Sequence, residues 1–283
     1  MAQSEMRGKI CLVTGANSGI GKATAAGLAR LGATVVLVCR DQARGEAALA
    51  EIQNSSNNHS LALMVADLSS QASIHHLTRA FQETYPQLHA LVNNAGIAPW
   101  RRSITVDGIE TTFAVNVLAP FLLTNLLLDR LKASAPARII NVASAQHNPL
   151  DFADLQNEKY FNAMRVYGQS KWAVILLSYE LARRLQGSGV TVNCLSPGVV
   201  ATRLSRDFPL AFRLMTRFLF NSPEKGAETS LYLASSSEVE GVTGKYFDRC
   251  KEAQSSRNTY DEAASQRLWD MSQHLTHLAP VNT

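Results

Sequence analysis

Short apolar runs and amphipathic segments alternate along about 250 residues of the chain. The apolar runs predict buried strands, and they lie at 9–13, 34–39, 61–66, 90–92, 138–142, 190–195 and 243–247. Between them, apolar side chains recur at helical spacing. The predicted helices begin near Ile20 and continue at 42–54, 70–85, 108–133, 160–186 and 223–235. Pro120 lies inside the fourth of these and predicts a kink there.

This alternation is typical of a parallel sheet with helices on both faces. The fold class that we predict is therefore α/β, a single Rossmann-like doubly wound parallel sheet of about seven strands. We find no repeat and no linker, so residues 1–283 are interpreted as one domain that binds a dinucleotide and carries the catalytic residues. A helical extension is expected after about residue 250.

Composition narrows the class of protein. Apolar residues make up 46% of the 283 positions and charged residues 18%, which suits a globular protein. The net charge of +4 is too small to indicate nucleic-acid binding. No signal peptide or membrane-spanning run precedes the first strand, which predicts a cytoplasmic location. Neither the cysteines nor the histidines have the spacing of metal ligands, so no metal site is expected; these residues include Cys11, Cys39, Cys194, Cys250, His75, His76, His89 and His147.

A glycine-rich turn joins the first predicted strand to the first helix. It reads Thr14-Gly15-Ala16-Asn17-Ser18-Gly19-Ile20-Gly21. In this context Gly15 permits the tight turn, Gly19 lets the backbone approach a pyrophosphate, and Gly21 lets the helix pack closely. The helix N-terminus then offers N–H groups to the phosphates. The alternative is an ordinary tight turn between a strand and a helix.

The end of the second strand bears on the choice of nucleotide. Folds that bind NAD usually place a carboxylate there for the ribose 2′-OH. Here the strand ends in Cys39-Arg40, and the guanidinium of Arg40 suits a 2′-phosphate. Asp41 is placed to cap the next helix, although its carboxylate can also turn back toward the ribose. We therefore expect NADP(H) to be preferred.

Two further features point to chemistry. Tyr167 and Lys171 are four residues apart and share one helix face, so the ammonium is expected to lower the pKa of the phenol and make it a proton donor or acceptor. Ser144 follows an apolar run, at the carboxyl end of a predicted strand, where ligands of open α/β sheets bind. Its hydroxyl can hydrogen-bond a substrate oxygen as charge develops on it.

Together these motifs resemble the short-chain dehydrogenase/reductase family. The match runs in order through the glycine turn, Asn93-Asn94-Ala95-Gly96, Ser144 with Tyr167-x-x-x-Lys171, and Pro197-Gly198. Within the family the chain is most similar to the retinol dehydrogenase group. That likeness rests on Cys39-Arg40-Asp41, Asp154-Leu155-Gln156-x-Glu158-Lys159, Leu185-Gln186-Gly187-x-Gly189-Val190, Pro197-Gly198-Val199-Val200 and Gly244-Lys245-Tyr246-Phe247.

The resemblance implies a catalytic tetrad of Asn116, Ser144, Tyr167 and Lys171, in which Asn116 holds a water in a proton relay. Lys171 is also implied to bind the nicotinamide ribose. The expected cofactor contacts are Gly15, Asn17, Ser18, Gly19, Ile20, Gly21, Arg40, Asp67, Leu68, Asn93, Ala95, Gly96, Tyr167, Lys171, Pro197, Gly198, Val200 and Thr202. For Thr202, a plain turn role is nearly as well supported. The family also often pairs its long helices into homodimers or homotetramers.

The expected activity is NADP(H)-dependent interconversion of an apolar alcohol and its aldehyde or ketone. The segment 207–221 is rich in Phe, Leu and Arg, and we interpret 203–222 as a lid over an apolar substrate pocket. Alternatives for that segment are a helix that contacts a membrane or one packed on the domain. Alternatives for the whole chain are a non-catalytic nucleotide-sensing regulator and a sugar-nucleotide epimerase.

Overall fold

The strands in the described part of the chain form one sheet. The structure is a computed structural model, and it describes residues 6–198 and 222–278. The strands are β1 (Ile10–Thr14), β2 (Thr34–Cys39), β3 (Leu61–Val65), β4 (Ala90–Asn93), β5 (Ala137–Val142), β6 (Val190–Ser196), β7 (Lys245–Asp248) and β8 (Lys251–Ala253). Their order across the sheet is β3-β2-β1-β4-β5-β6-β7-β8.

Seven of the strands are parallel, and β8 pairs antiparallel with β7. The predicted doubly wound fold is confirmed. Among the described residues, β8 is the strand that the sequence did not predict, because Lys251-Glu252-Ala253 has no apolar run. The strand order reverses between β1 and β4, so a crevice opens at the carboxyl ends of these two strands, where ligands bind in open α/β sheets.

The helices are α1 (Gly19–Arg30), α2 (Gln42–Ser56), α3 (Gln71–Thr84), α4 (Thr111–Phe113), α5 (Ala119–Leu126), α6 (Leu128–Ala133), α7 (Ala163–Arg184), α8 (Pro223–Ser235) and α9 (Glu262–Leu275). A π-helical turn, Ala114–Leu118, joins α4 to α5, and 3₁₀ turns lie at Ser237–Val239 and Arg257–Tyr260. The ends of α2 and α7 differ from the predicted ends by two or three residues, and α8 matches its prediction.

Successive strand residues bury against opposite layers. Leu12, Leu91 and Ile139 belong to the core on one face, which includes side chains of α3, α5, α7 and α9. The next residues along, such as Val13 and Val92, belong to the core on the other face, with α1, α2 and α8. This alternation follows from the two-residue period of a strand and places helices on both sides of the sheet.

The predicted helix over 108–133 is broken in a way that matters for the site. We expected one kink at Pro120, but the structure has a π turn ahead of it and a further break at Leu127. Because proline has no N–H, Pro120 cannot donate the α-helical hydrogen bond to the carbonyl of Asn116. The π turn that precedes this proline contains Asn116, and turns of this kind are frequent at functional sites.

The carboxyl-terminal helix α9 covers α5 and α7. Trp269 packs edge-on against Phe121, with ring centroids 4.8 Å apart, and the Arg184 guanidinium lies 4.4 Å from the Trp269 ring centroid. Leu268 is fully buried in the same contact. Helical structure is therefore present in the region where we predicted an extension.

Candidate active site

The glycine turn between β1 and α1 is tight, and the structure shows why glycines are needed in it. Gly15 and Gly19 have φ angles of +66° and +57°, which other L-residues rarely adopt. A Cβ on Gly21 would overlap the carbonyl oxygen of Gly15 and the side-chain amide of Asn94. The turn therefore brings main-chain atoms close together at the mouth of the crevice.

The N-terminus of α1 is available to an anion. Ser18 is its N-cap residue, but the Ser18 side chain accepts no capping hydrogen bond, and no acidic residue lies in the first turn. The N-termini of α2, α3 and α7 are capped by Asp41, Ser70 and Asn162. The free N–H groups and the dipole of α1 fit a pyrophosphate at this position.

Two arginines stand at one end of the crevice, beyond β2. Arg40 and Arg44 both line it, and both are exposed. Asp41 lies between them, and its carboxylate accepts a hydrogen bond from the backbone N–H of Arg44 at 3.0 Å. The Arg44 Nε is also 3.6 Å from the Asp41 carboxylate. Asp41 therefore caps α2, as the first of the two readings predicts.

Asp67 is the acidic residue after β3. Its carboxylate accepts hydrogen bonds from the backbone N–H of Ser69 at 2.9 Å and from the Ser69 hydroxyl at 2.7 Å. Asp67 and Leu68 both line the crevice. The two hydrogen bonds hold the Asp67 carboxylate in one orientation on its wall.

The loop after β4 is tied to the end of β1. The backbone N–H groups of Asn94 and Ala95 both donate to the Thr14 hydroxyl at 3.0 Å, and the Asn94 amide donates to the Thr14 carbonyl at 2.8 Å. Asn93, which we predicted as a cofactor contact, lies outside the crevice. Its amide is buried and donates to Thr124 Oγ1 at 3.0 Å and to Asn141 Oδ1 at 2.8 Å.

Asn116 clamps the same loop from the π turn. Its Oδ1 accepts from the Ile97 N–H at 2.8 Å, and its Nδ2 donates to the Ile97 carbonyl at 2.9 Å. The same Nδ2 donates to Ser170 Oγ at 2.9 Å, and Ser170 in turn donates to the Tyr167 carbonyl at 2.7 Å. The side chain thereby connects the crevice wall to α7, a role that the resemblance did not suggest.

Lys171 is the buried cation of the site. Its side chain is 4% exposed, and its Nζ donates to the Val142 carbonyl at 2.8 Å. Burial lowers the pKa of Lys171 from 10.5 to about 8. The Nζ also lies 5.6 Å from the centroid of the Tyr167 ring. The lysine therefore stands next to the phenol, as its four-residue spacing on one helix predicts.

The expected effect of this lysine on the phenol is wrong. Burial raises the pKa of Tyr167 above 10, and only a hydrogen bond from Ser144 acts in the opposite direction. Burial is the largest influence on the pKa of this phenol, and the Lys171 ammonium is not among the groups that shift it. Tyr167 therefore keeps its proton at neutral pH, which suits a proton donor.

One cavity of about 530 Å³ runs from the two arginines to the tyrosine, and Asn93 and Asn116 are not among the residues that line it. The predicted site residues that line it are Gly15, Asn17, Ser18, Gly19, Ile20, Gly21, Arg40, Asp67, Leu68, Ala95, Gly96, Ser144, Tyr167, Lys171, Pro197 and Gly198. Its volume lies in the range of cofactor and small-molecule sites. Val200, Thr202 and the segment 207–221 lie outside the described residues.

Some residues that line the cavity were not predicted from the sequence. Arg44 could have been found, since it lies one helical turn after Arg40 in the sequence. Asn94 belongs to the motif Asn93-Asn94-Ala95-Gly96, in which we predicted the other three residues as cofactor contacts. Ile97, Ala98 and Pro99 also line the cavity, and no pattern in the sequence marks them.

Among residues 6–198 and 222–278, no helix combines the length and the apolarity that crossing a bilayer requires.

Comparison with known proteins identifies the family of the chain. The family model of the short chain dehydrogenases matches residues 9–210. Human retinol dehydrogenase 14 is 44% identical over an alignment that covers 96% of this chain and 88% of that protein. Human retinol dehydrogenase 13 is also 44% identical, over 98% of this chain and 87% of that protein.

Solved structures show the same fold. An uncharacterised protein of Mycobacterium paratuberculosis has a TM-score of 0.77 at 30% identity, over 96% of this chain and 94% of that one. RhlG of Pseudomonas aeruginosa, in an active-site complex with NADP, has a TM-score of 0.72 at 30% identity, over 87% and 97%. The 3-ketoacyl-(acyl-carrier-protein) reductase of Brucella melitensis, complexed with NADH, has a TM-score of 0.67 at 27% identity, over 86% and 96%.

Those two complexes hold different nicotinamide nucleotides, so the fold alone does not decide between them. What the matches do decide is the class of protein. The chain belongs to the short-chain dehydrogenase family of oxidoreductases, and within it to the retinol dehydrogenase group.

Proposed function

We propose that the protein interconverts an apolar alcohol and its aldehyde or ketone with NADP(H). The observation that carries this proposal is a single cavity with Ser144, Tyr167 and Lys171 at one end and Arg40 and Arg44 at the other. The first group suits proton transfer to a carbonyl oxygen. The second suits a phosphate on the adenosine ribose.

The residues divide the chemistry as follows. A nicotinamide nucleotide bound along the cavity would supply or accept the hydride. Ser144 donates a hydrogen bond to the substrate oxygen, and Tyr167 gives that oxygen its proton during reduction or takes it during oxidation. Because burial raises the pKa of Tyr167, the phenol carries the proton that the reduction of a carbonyl requires.

Lys171 and Asn116 support these two residues. Lys171 stands beside the Tyr167 ring and beside Gly96 on the opposite wall, where it can bind the hydroxyls of a ribose. Asn116 holds the crevice wall through both main-chain groups of Ile97. A water relay through Asn116 stays a prediction, whereas the clamp on Ile97 is a role that the contacts support.

The preference for NADP(H) is supported by charge at the ribose end. The Asp41 carboxylate at this end is engaged by the N–H and the guanidinium of Arg44, which reduces its repulsion of a 2′-phosphate. Arg40 and Arg44 both line this end of the cavity and supply positive charge there. Equal affinity for NADH and NADPH would contradict this part of the proposal.

An apolar substrate is supported by the names of the relatives and by the wall near the chemistry. Retinol dehydrogenases 13 and 14 are named for a long apolar alcohol. Ile97, Ala98, Pro99 and Val115 line the same cavity. A non-catalytic nucleotide sensor would not need Ser144, Tyr167 and Lys171 together, so this alternative is less well supported.

The experiment that tests the proposal is a series of straight-chain aldehydes from short to long, followed by retinal, with NADPH as reductant. Each methylene that enters an apolar pocket contributes about 0.8 kcal/mol, so kcat/KM should rise by about fourfold per methylene until the pocket is filled. A polar aldehyde of equal length serves as the control. A flat or falling series would contradict the apolar substrate, and no turnover with any carbonyl or alcohol would contradict the enzyme itself.

A further inference from the structure

The main-chain carbonyl of Ser144 accepts hydrogen bonds from two side chains outside the predicted tetrad. His147 lies three residues on, and its Nδ1 is 3.0 Å from that oxygen. Tyr246 lies on β7, and its hydroxyl donates to the same oxygen at 3.3 Å. Tyr246 is 5% exposed, so its hydroxyl is held within the protein rather than in solvent. One carbonyl is thus held by its own loop and by a strand about 100 residues away.

The hydrogen bonds of His147 define its tautomer. The backbone N–H of Ser256 donates to His147 Nε2 at 3.2 Å, so this nitrogen is an acceptor and carries no proton. The proton of the neutral ring is therefore on Nδ1, from which it is donated to the Ser144 carbonyl. His147 consequently connects the serine to the segment after β8.

The side chain of Ser144 is oriented by the same loop. Ser144 Oγ accepts a hydrogen bond from the backbone N–H of Gln146 at 3.1 Å. Because its oxygen is engaged on that side, the hydroxyl proton is free to point into the cavity, toward Tyr167 or a substrate oxygen. The carbonyl bonds fix the position of the residue, and the bond from Gln146 fixes the direction of its hydroxyl.

We infer that His147 and Tyr246 are positioning residues. Through their hydrogen bonds to the Ser144 carbonyl, they fix the position of Ser144 relative to Tyr167. The inference rests on the proposed function, in which Ser144 contacts the substrate oxygen. From residue 143 to 162, all of which the structure describes, the chain forms no helix or strand, so the loop alone does not fix Ser144. A displacement of about 1 Å at a reacting group can lower the rate by about 10²-fold.

The chemistry of Tyr246 agrees with this role. Burial raises the pKa of Tyr246 to about 12, so its phenol keeps its proton, and can donate it, throughout the pH range of enzyme assays. Its motif, Gly244-Lys245-Tyr246-Phe247, is one of the stretches that resemble the retinol dehydrogenase group. The resemblance implies no role for Tyr246. The hydrogen bond to Ser144 gives one residue of that motif a physical role.

The test uses two substitutions of equal shape at His147. His147→Asn keeps a donor near the position of Nδ1, whereas His147→Leu has the same shape and no donor. We expect kcat for carbonyl reduction to fall by about tenfold or more in His147→Leu. The kcat of His147→Asn should be at least about threefold higher than that of His147→Leu. Tyr246→Phe should lower kcat by about two- to tenfold. In all three variants the Kd for NADPH should stay within about twofold of the unmodified value. None of the changes touches the end of the cavity at Arg40 and Arg44, where the phosphate is proposed to bind.

His76→Asn and Tyr85→Phe are the control variants, because His76 is exposed on α3 and Tyr85 lies at the end of the same helix. Thermal unfolding of each variant shows whether it is folded at the assay temperature. Equal kcat in His147→Leu, His147→Asn and the unmodified protein would overturn the inference. A fall that is equal in the Leu and Asn variants, and that follows their loss of thermal stability, would also overturn it.

A measurement that needs no activity separates this inference from the proposed function. Long-range ¹⁵N–¹H spectra of the uniformly labelled protein distinguish the two histidine tautomers, and the His147→Asn variant identifies the signals of His147. The Nδ1–H tautomer supports the positioning role, whereas an Nε2–H tautomer overturns it. Absence of carbonyl reduction in the unmodified protein would instead contradict the proposed function.

Discussion

The two ends of the cavity are built in different ways. The phosphate end uses main-chain atoms of the glycine turn, the N-terminus of α1 and two exposed arginines close together in sequence. The catalytic end assembles side chains from three distant parts of the chain, and one of them is a buried lysine. The first end is therefore encoded locally, whereas the second depends on tertiary packing and carries a cost for burying charge.

The largest effect is expected at the catalytic end. Tyr167→Phe removes only the hydroxyl, so the proton needed by the substrate oxygen has no donor in place. General acid–base catalysis contributes about 10²–10⁴-fold, and kcat for carbonyl reduction should fall by about that factor. Binding of NADPH, measured by quenching of tryptophan fluorescence, should change little.

Tyr85→Phe is the control for that experiment, since Tyr85 packs against Phe81 far from the cavity. It should retain full kcat. A Tyr167→Phe variant that kept more than about a tenth of the unmodified kcat would show that another group supplies the proton.

The second-largest effect is expected at the phosphate end. Charge-assisted hydrogen bonds contribute about 1.5–3 kcal/mol, which corresponds to about ten- to a hundredfold in affinity. We expect NADPH to bind at least about tenfold more tightly than NADH, and Arg40→Ala to lose most of that preference. Arg44 is exposed and also pairs with Asp41. Arg44→Ala should therefore weaken NADPH binding by about two- to fivefold.

Dissociation constants for both nucleotides, measured by isothermal titration calorimetry, check these values. Affinity for NADH is the internal control, because it lacks the 2′-phosphate and should be unchanged in both variants. If both variants weakened NADH and NADPH equally, the arginines would not discriminate between the nucleotides.

The same contrast explains what the sequence could predict. Gly15, Gly19 and Arg40 were assigned from local spacing, and the structure places all three in the cavity. Tyr167 and Lys171 were paired from helical periodicity, and they are indeed neighbours. Local patterns are sufficient in these cases because the residues that must meet are close in sequence.

Other features depend on contacts between distant segments. The direction of the Tyr167 pKa was wrong, because burial by the folded chain outweighs the lysine four residues away. The place of Asn93 could not be read from its motif, since Thr124 and Asn141 determine it from other elements. The two hydrogen bonds that hold Ser144 in place likewise require β7 and the segment at Ser256 to be in place.

A third prediction measures the cost of burying the lysine. The pKa of Lys171 falls from 10.5 to about 8 in the folded protein. Between these values the unfolded chain binds a proton that the folded chain does not, so the free energy of unfolding rises with pH over this range. Below about pH 8 the full penalty is present, and it corresponds to about 3 kcal/mol.

Lys171→Met should therefore be inactive and yet more stable at pH 7. The expected gain is about 1–2 kcal/mol, because the Val142 carbonyl loses its donor at a cost of about 1 kcal/mol. Urea unfolding at pH 7 and at pH 10 provides the measurement, and the gain should shrink at the higher pH. Lys225→Met on α8, an exposed lysine paired with Glu228, is the control and should show no such dependence. A Lys171→Met protein that is less stable than the unmodified one at both values would contradict the buried-charge argument.

The smallest effect is expected at Asp41, and it decides between the two roles that its sequence position allows. In the structure its carboxylate accepts from the Arg44 N–H at 3.0 Å, as an N-cap does. Asparagine caps helices about as well as aspartate, so Asp41→Asn should change the free energy of unfolding by less than about 1 kcal/mol. The Kd for NADPH should change by less than about threefold, because the charge removed is already paired with Arg44.

Glu46→Gln is the matched control, since it removes the same charge from the same helix about one turn further on. If Asp41 instead reached the ribose, Asp41→Asn would weaken NADH and strengthen NADPH by tenfold or more in their ratio, because a carboxylate both binds the 2′-OH and repels a 2′-phosphate. Titration of both nucleotides into the two variants distinguishes these outcomes. A change in that ratio confined to Asp41→Asn would mean that the carboxylate leaves its cap when nucleotide binds, and that the phosphate end is less fixed than its capping hydrogen bond indicates.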